Sequence, residues 1–293
     1  MLVQGIGFAQ HKSSLKSRRS AIGPSGPTQR KPHVVLNSTH SCRIDSMATE
    51  PLHFEKAPIR EAIIAVQVHD LSTSILEDLR TLPERVKSSY PQHAELHESE
   101  FVGQVGPQGP KASAHQKLIG FQFQSTDSKQ IFQARLNGFS FHRLAPYESW
   151  APFRNEAFRL WNLYREIVGP VKTVNFSIRY INALVVPAPG KLEDYLTVFP
   201  QMPPEFPQMV RNYHMRIELP LDDQTSGEGL VTITQTLLPS EPGTASILLD
   251  NYFLYAAFGV PDDVLWKKID AVQAVKNRLF LAAMTPEMKK RIS

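Results

Sequence analysis

Residues 58–69 read PIREAIIAVQVH, and residues 175–186 read NFSIRYINALVV. In the first stretch Ala62, Ile64, Val66 and Val68 occupy alternate positions. In the second, Phe176, Ile178, Tyr180, Leu184 and Val186 do the same. Successive strand side chains point to opposite faces, so a period of two predicts a strand with one apolar side. Each stretch therefore predicts the first strand of a unit that must bury one face.

The segments downstream of the two strands are alike. After the first, Ser74-x-x-Glu77 has the spacing of a capping box, in which Ser accepts from a free N–H and Glu reaches back. It predicts a helix carrying Leu76, Leu79 and Val86, broken or bent at Pro83. Strands are predicted near 95–105, 117–125 and 130–144. A loop containing Gly103, Gly106, Pro107, Gly109 and Pro110 separates the first two. Asn137-Gly138 interrupts the third as a bulge or turn. Trp150, Phe153, Ala157, Leu160, Trp161, Tyr164 and Ile167 then recur at intervals of three and four, the stripe of an amphipathic helix. Ser149 suits its N-cap, Pro152 its first turn, and Gly169-Pro170 its end.

After the second strand, a short helix is predicted at 191–199, with strands near 210–220, 229–238 and 245–257. A long helix is predicted over 262–284 on Leu265, Ile269, Val272, Val275, Leu279 and Ala283. A last turn or helix opens at Thr285-Pro286.

Both halves thus read strand–helix–three strands–helix. The expectation is an α+β fold of two tandem repeats, 47–170 and 171–293, in one compact domain. The repeats would share a largely antiparallel curved sheet, with both long helices on one face, so that sheet and helices cover each other's apolar surface. Saddle-shaped proteins of the TATA-box-binding type have a similar order of elements, a likeness of architecture alone.

The chain has 293 residues, 42% hydrophobic and 20% charged, enough to bury a core without metals or disulfides. Cys42 is the single cysteine, so neither an intrachain disulfide nor a cysteine-based zinc site can form. No apolar run approaches a membrane span, and the first residues lack a secretory pattern. The expectations are a cytoplasmic location and no membrane partner. The net charge of +4 is concentrated in the first 46 residues. These hold Lys12, Lys16, Arg18, Arg19, Arg30, Lys31 and Arg43 against Asp45 alone, leaving 25 basic and 27 acidic groups for 47–293. Aperiodic and rich in Ser, Arg, Gly and Pro, residues 1–46 read as a disordered basic tail. The preferred reading is upstream sequence from a misassigned start, with Met47 as the true beginning; a basic arm or transit peptide is the alternative.

Several segments resemble a sporadically distributed family of uncharacterised prokaryotic proteins. They are Phe54, Pro58, Ile59 and Glu61 of a Phe-x-x-x-Pro-Ile-x-Glu start, Phe139–Leu144 with Pro146, Tyr147 and Trp150, then Trp161 and Tyr164, Arg179–Asn182, and Lys276-Asn277 through to Pro286. The resemblance spans roughly 52–290 and agrees with a start near Met47. It brings no activity, cofactor or catalytic residue. The family's patchy distribution points to accessory genes of mobile-element or phage-defence neighbourhoods.

Few arrangements in the chain suggest chemistry. His93-x-x-x-His97, among Glu95, Glu98 and Glu100, would suit zinc on a helix, but the local pattern is a turn running into a solvated strand. The glycines at 103, 106 and 109 lack the helix N-terminus that a phosphate cradle needs. Asp222-Asp223 falls by a turn, and Asp262-Asp263 suits a helix N-terminus. No catalytic residue, metal site or cofactor is assigned.

A polar set remains within the motifs: Glu61, His142, Arg143, Tyr147, Arg179 and Asn182. Asn182 lies on the apolar face of its strand and needs a partner there. The set either pairs internally to fix register or lines a pocket for a ligand or partner at the junction of the halves. Glu61 and Arg179 are both out of phase with their apolar neighbours. If the two first strands are adjacent, these charges are expected to meet across the junction on the face away from the helices.

The function expected is a non-catalytic binding or regulatory module for a protein or small ligand. Nucleic-acid binding by a saddle-like sheet is the alternative, and an enzyme using Glu61, His142 or Tyr147 is the third reading.

Overall fold

The computed structural model describes Phe54 and residues 57–106, 109–223 and 226–293. The basic tail and Met47 lie outside the described residues. The alternating stretches become β1 (Ile59–Val68) and β6 (Thr173–Pro187). They pair antiparallel at the middle of one nine-stranded sheet, with Ile64 opposite Ile178 and Val66 opposite Phe176.

On one side of that centre run β5 (Gly138–Leu144), β4 (Gln130–Arg135), β3 (Gly109–Gln124) and β2 (Gln92–Gly106). On the other run β9 (Thr244–Ala256), β8 (Gly227–Leu238) and β7 (His214–Asp223). Every ladder is antiparallel. The fold is α+β, built on a curved antiparallel sheet. Among the described residues no helix is long and apolar enough to cross a membrane.

The first half departs from the expected three strands. The stretch over 130–144 is two strands joined by a tight turn at Leu136-Asn137, with Gly138 opening the second strand opposite Arg135. Gly138 has φ of +144°, and a Cβ there would lie 2.2 Å from the Val66 carbonyl oxygen. Only glycine admits the neighbouring backbone that closely. The loop expected around Gly103–Pro110 is shorter than its composition suggests, because the β2–β3 ladder continues to the pairing of Gly106 with Gly109. Pro83 splits the preceding helix into α1 (Ile75–Leu79) and α2 (Leu82–Val86). Ser74 has helical dihedrals and makes no side-chain cap, so the Ser74–Glu77 capping box does not form. In the second half, the helix expected at 191–199 is a 3-10 turn, Leu192–Asp194. The Pro-rich segment beyond it cannot supply helical N–H groups.

Two long helices cover one face: α3 (Trp150–Val168) and α4 (Asp262–Ala282). A short α5 (Pro286–Ile292) is capped by Thr285, whose hydroxyl accepts from the Met288 N–H at 3.3 Å. The core lies between helices and sheet. Phe139, Phe141, Phe176, Ile178, Phe253 and Tyr255 meet Phe153, Leu160, Trp161, Trp266 and Ile269 there, all essentially buried. Each such large side chain contributes roughly 1.5–3 kcal/mol by leaving water.

The two helices run antiparallel and are tied at two levels. Arg165 holds Asp262 at 2.7 Å, so Asp262 is an ion-pair partner as well as a first-turn acid. Arg154 holds Asp270 through two hydrogen bonds of 3.1 and 3.0 Å. The Arg154 guanidinium also lies over the rings of Trp266 and Phe158, at 5.0 and 5.1 Å.

Candidate functional site

The six polar residues singled out from the motifs divide between the two faces of the sheet. Glu61, His142 and Arg179 project from the face without helices, as their phase requires. Glu61 and Arg179 do not pair with each other. Glu61 stands opposite Ile181, and Arg179 opposite Ile63, so the two charges are offset by one diagonal step. Each has a nearer partner. Glu61 Oε1 lies 2.7 Å from His142 Nδ1. Arg179 grips Asp250 through Nε–Oδ1 at 2.9 Å and a second bond of 2.5 Å. The Asp250 hydrogen bonds, with a smaller contribution from the charge of Glu61, raise the Arg179 pKa above its already high ordinary value.

The Glu61–His142 pair continues as a chain. His142 Nε2 lies 3.0 Å from Ser140 Oγ, which reaches Gln133 at 3.5 Å; Gln133 in turn donates to Gln122 at 2.9 Å. Carboxylate, imidazole and hydroxyl in this order form the connectivity of an acyl-transfer triad. The surroundings do not complete it. Ser140 is only 3% exposed, and β5 is paired on both sides, so its amides serve the ladders rather than an oxyanion. The chain instead links β3, β4, β5 and β1 across the face without helices.

The helix-covered face carries Arg143, Tyr147 and Asn182. Arg143 donates to Glu148 at 2.9 Å. Tyr147 and Asn182 line a cavity of about 380 Å³. Its floor is Tyr180, Asn182 and Asn251 on β6 and β9; Ile59 of β1 with Phe54, Ala57 and Pro58 forms one wall. The first turn of α3 and the residues just before it form a second, and Gln273, Lys276, Asn277 and Phe280 of α4 the roof. Residues from both halves therefore build it. The four α4 positions follow helical spacing, so one stripe of the helix faces the space.

Asn182 has the partner that burial demands: its amide donates to the Leu249 carbonyl at 3.1 Å. The Tyr147 and Tyr180 hydroxyls meet at 3.1 Å. Burial pushes the Tyr147 hydroxyl up to about 12, and that of the fully enclosed Tyr180 well above its ordinary value. Lys276 is half-buried, its ammonium 4.1 Å from the centroid of the Tyr180 ring. Among the described residues no carboxylate pairs with it. Loss of water pulls its pKa down to about 7.

Asn251 and Asn277 complete the polar lining. They are 3% and 7% exposed, and among the described residues neither side chain makes a hydrogen bond. Their amide ends stay open to the cavity rather than sealed in the core. Sequence reasoning missed Lys276, Asn277, Gln273 and Asn251 as members of a site. Asn251 carried a signal: it stands two positions from Leu249 and Phe253 on an apolar alternation, as Asn182 does on its own strand. The Lys276-Asn277 motif sat inside the last helix's apolar stripe without being read as a site.

His93-x-x-x-His97 takes no part in the cavity. Both histidines lie on β2, a strand, as their pattern predicts. Comparison with protein-family models and with curated proteins found no match to the chain.

Proposed function

We propose that the chain is a non-catalytic binding module that takes a small ligand in the cavity between β6, β9 and the two long helices. The observation that carries this reading is the pair of little-exposed amides without a protein partner, Asn251 and Asn277, that open onto one cavity. An apolar concavity with a few convergent polar groups is the usual form of a ligand site. The volume of about 380 Å³ suits a small organic molecule.

The arrangement of strands supports reading the halves as copies of one unit. β5 borders β1 as β9 borders β6, and the first half adds one outer strand. The cavity then lies where the copies meet, and a ligand there would report on their alignment. This is a regulatory arrangement, in keeping with the resemblance to an accessory prokaryotic family.

The nucleic-acid alternative gains little from the helix-free face. Among the described residues Arg179 at its centre is matched by Asp250 and Arg216 on the edge strand β7 by Glu218, so these two arginines make no continuous basic stripe.

Ligand-observed NMR of the full chain against a fragment library tests the proposal. Fragments should bind to the wild type and lose binding in Asn251→Leu. Fragments that bind both proteins equally would place ligand recognition elsewhere.

A further inference from the structure

We infer that the ligand of this cavity is an organic carboxylate carried on a flat ring, with Lys276 as its counter-charge. The inference rests on the reading of the cavity as a ligand site and names the chemistry that fits it.

Among the described residues Lys276 is the cationic side chain lining the cavity, and no acid there neutralises it. Its contact is the face of Tyr180, which attracts a cation but leaves the ammonium's hydrogen-bonding capacity for a carboxylate. Glu148, at the rim, is engaged by Arg143. One ammonium balances one negative charge, which favours a carboxylate over a phosphate dianion.

The hydrogen-bonding groups agree. Asn251 and Asn277 present unpartnered amides from the floor and the roof. Ser149, the N-cap of the 19-residue α3, makes no side-chain cap, and it lines the same space with its neighbours Trp150 and Ala151. The free N–H groups and partial positive charge of a helix start favour an anion there. The body of the ligand is set by the walls. Phe54, Phe280, Trp150, Tyr147 and Tyr180 surround the cavity, and aromatic faces of this kind pack a flat ring.

Proton linkage gives a signature. The groups facing Lys276 are Tyr147 before α3 and Tyr180 on β6, both held neutral by burial, and Glu148 at the rim. The described residues before β1, α3's first turn and Asn251 on β9 add no titratable group. Among the described residues of the lining, Lys276 is therefore the group whose charge changes near neutrality. The ammonium binds a carboxylate and the free amine does not, so affinity should decline as pH rises past about 7.

Three probes of similar shape separate the possibilities: indole-3-acetate, its neutral amide and the cation tryptamine. With the full-length wild type at pH 6, calorimetry should give indole-3-acetate about tenfold tighter binding than the amide, and tryptamine the weakest. Between pH 6 and 9.5 the acetate should lose that roughly tenfold advantage and level off near the affinity of the amide, which stays constant. Lys276→Met should abolish the preference and the pH dependence yet still bind the amide. Equal binding of acetate and amide, or a preference that survives Lys276→Met, overturns the inference and leaves a neutral-ligand site. If none of the three binds, the inference fails, and fragment hits lost in Asn251→Leu would show that the site itself stands.

Discussion

Arg179 reaches diagonally across the β6–β9 ladder to Asp250, two positions from its direct partner Tyr252, and holds both carboxylate oxygens. Asp250 is only 8% exposed, so removing one member strands a charge in a poorly hydrated place. Asp250→Ala is expected to cost about 3 kcal/mol in denaturant unfolding. A double-mutant cycle on Arg179 and Asp250 should give a coupling of about 1–3 kcal/mol, while the Glu61–Arg179 cycle should be near additive. A larger coupling for Glu61 would mean that Arg179 changes partner in solution.

Lys276 makes a prediction about pH and stability that needs no ligand. Its pKa falls from an ordinary 10.5 to about 7 on folding. Between those values the unfolded chain binds a proton that the folded chain does not, so stability should rise with pH across this window. Below about 7 both states are protonated, and the cost of burying the ammonium is fully present. Lys276→Met removes that cost. Its advantage should be about 1–3 kcal/mol at pH 6, moderated by the solvent the amine retains, and should shrink toward pH 10. A constant advantage across the range would indicate packing rather than charge.

Gly138 tests the turn that splits the third predicted strand. Gly138→Ala places a methyl group against the Val66 carbonyl oxygen at a φ that side chains rarely adopt. A loss of at least about 2 kcal/mol is expected, because backbone on both sides must shift. A near-wild-type melting temperature would contradict the close β1–β5 approach.

The clamp between the long helices also positions one wall of the cavity. Asp270 accepts from Trp150 Nε1 at 3.2 Å as well as from Arg154. Asp270→Ala should cost about 1 kcal/mol, since the pair is partly exposed. It should also shift Trp150 fluorescence to the red as the ring gains water. Trp161 and Trp266 are buried, so subtracting the spectrum of Trp150→Phe isolates the signal.

Periodicity made the sheet legible where one face was uniformly apolar. β1, β6 and both long helices follow from Ala62–Val68, Phe176–Val186 and the stripes on Trp150–Ile167 and Leu265–Ala283. Capping and turn chemistry were less informative. Ser74 and Glu77 have the right spacing, yet the chain turns helical earlier through backbone bonds to the Ser72 and Thr73 carbonyls, leaving no cap to fill. Asn137-Gly138 was visible as an interruption, but bulge and turn share that sequence, and only the pairing of Gly138 with Arg135 distinguishes them.

Pairing also limited the reading of the site. Phase assigned Glu61 and Arg179 to the correct face, but a two-residue offset between them left each with a different partner. The cavity was half legible. Tyr147 and Asn182 lay in recognisable motifs, whereas Lys276 and Asn251 acquire meaning only when α4 is laid over the sheet.

The central position of β1 has a consequence during synthesis. It pairs with β5 along one border and with β6 along the other. β5 is complete at Leu144, but β6 begins only at Thr173. Until that segment emerges from the ribosome, the nascent chain displays one border of Ile59–Val68 as an open rim of unpaired backbone donors and acceptors. Translation that stalls before residue 173 therefore releases a fragment with an adhesive border, one that a second nascent copy can complete as readily as the chain's own continuation.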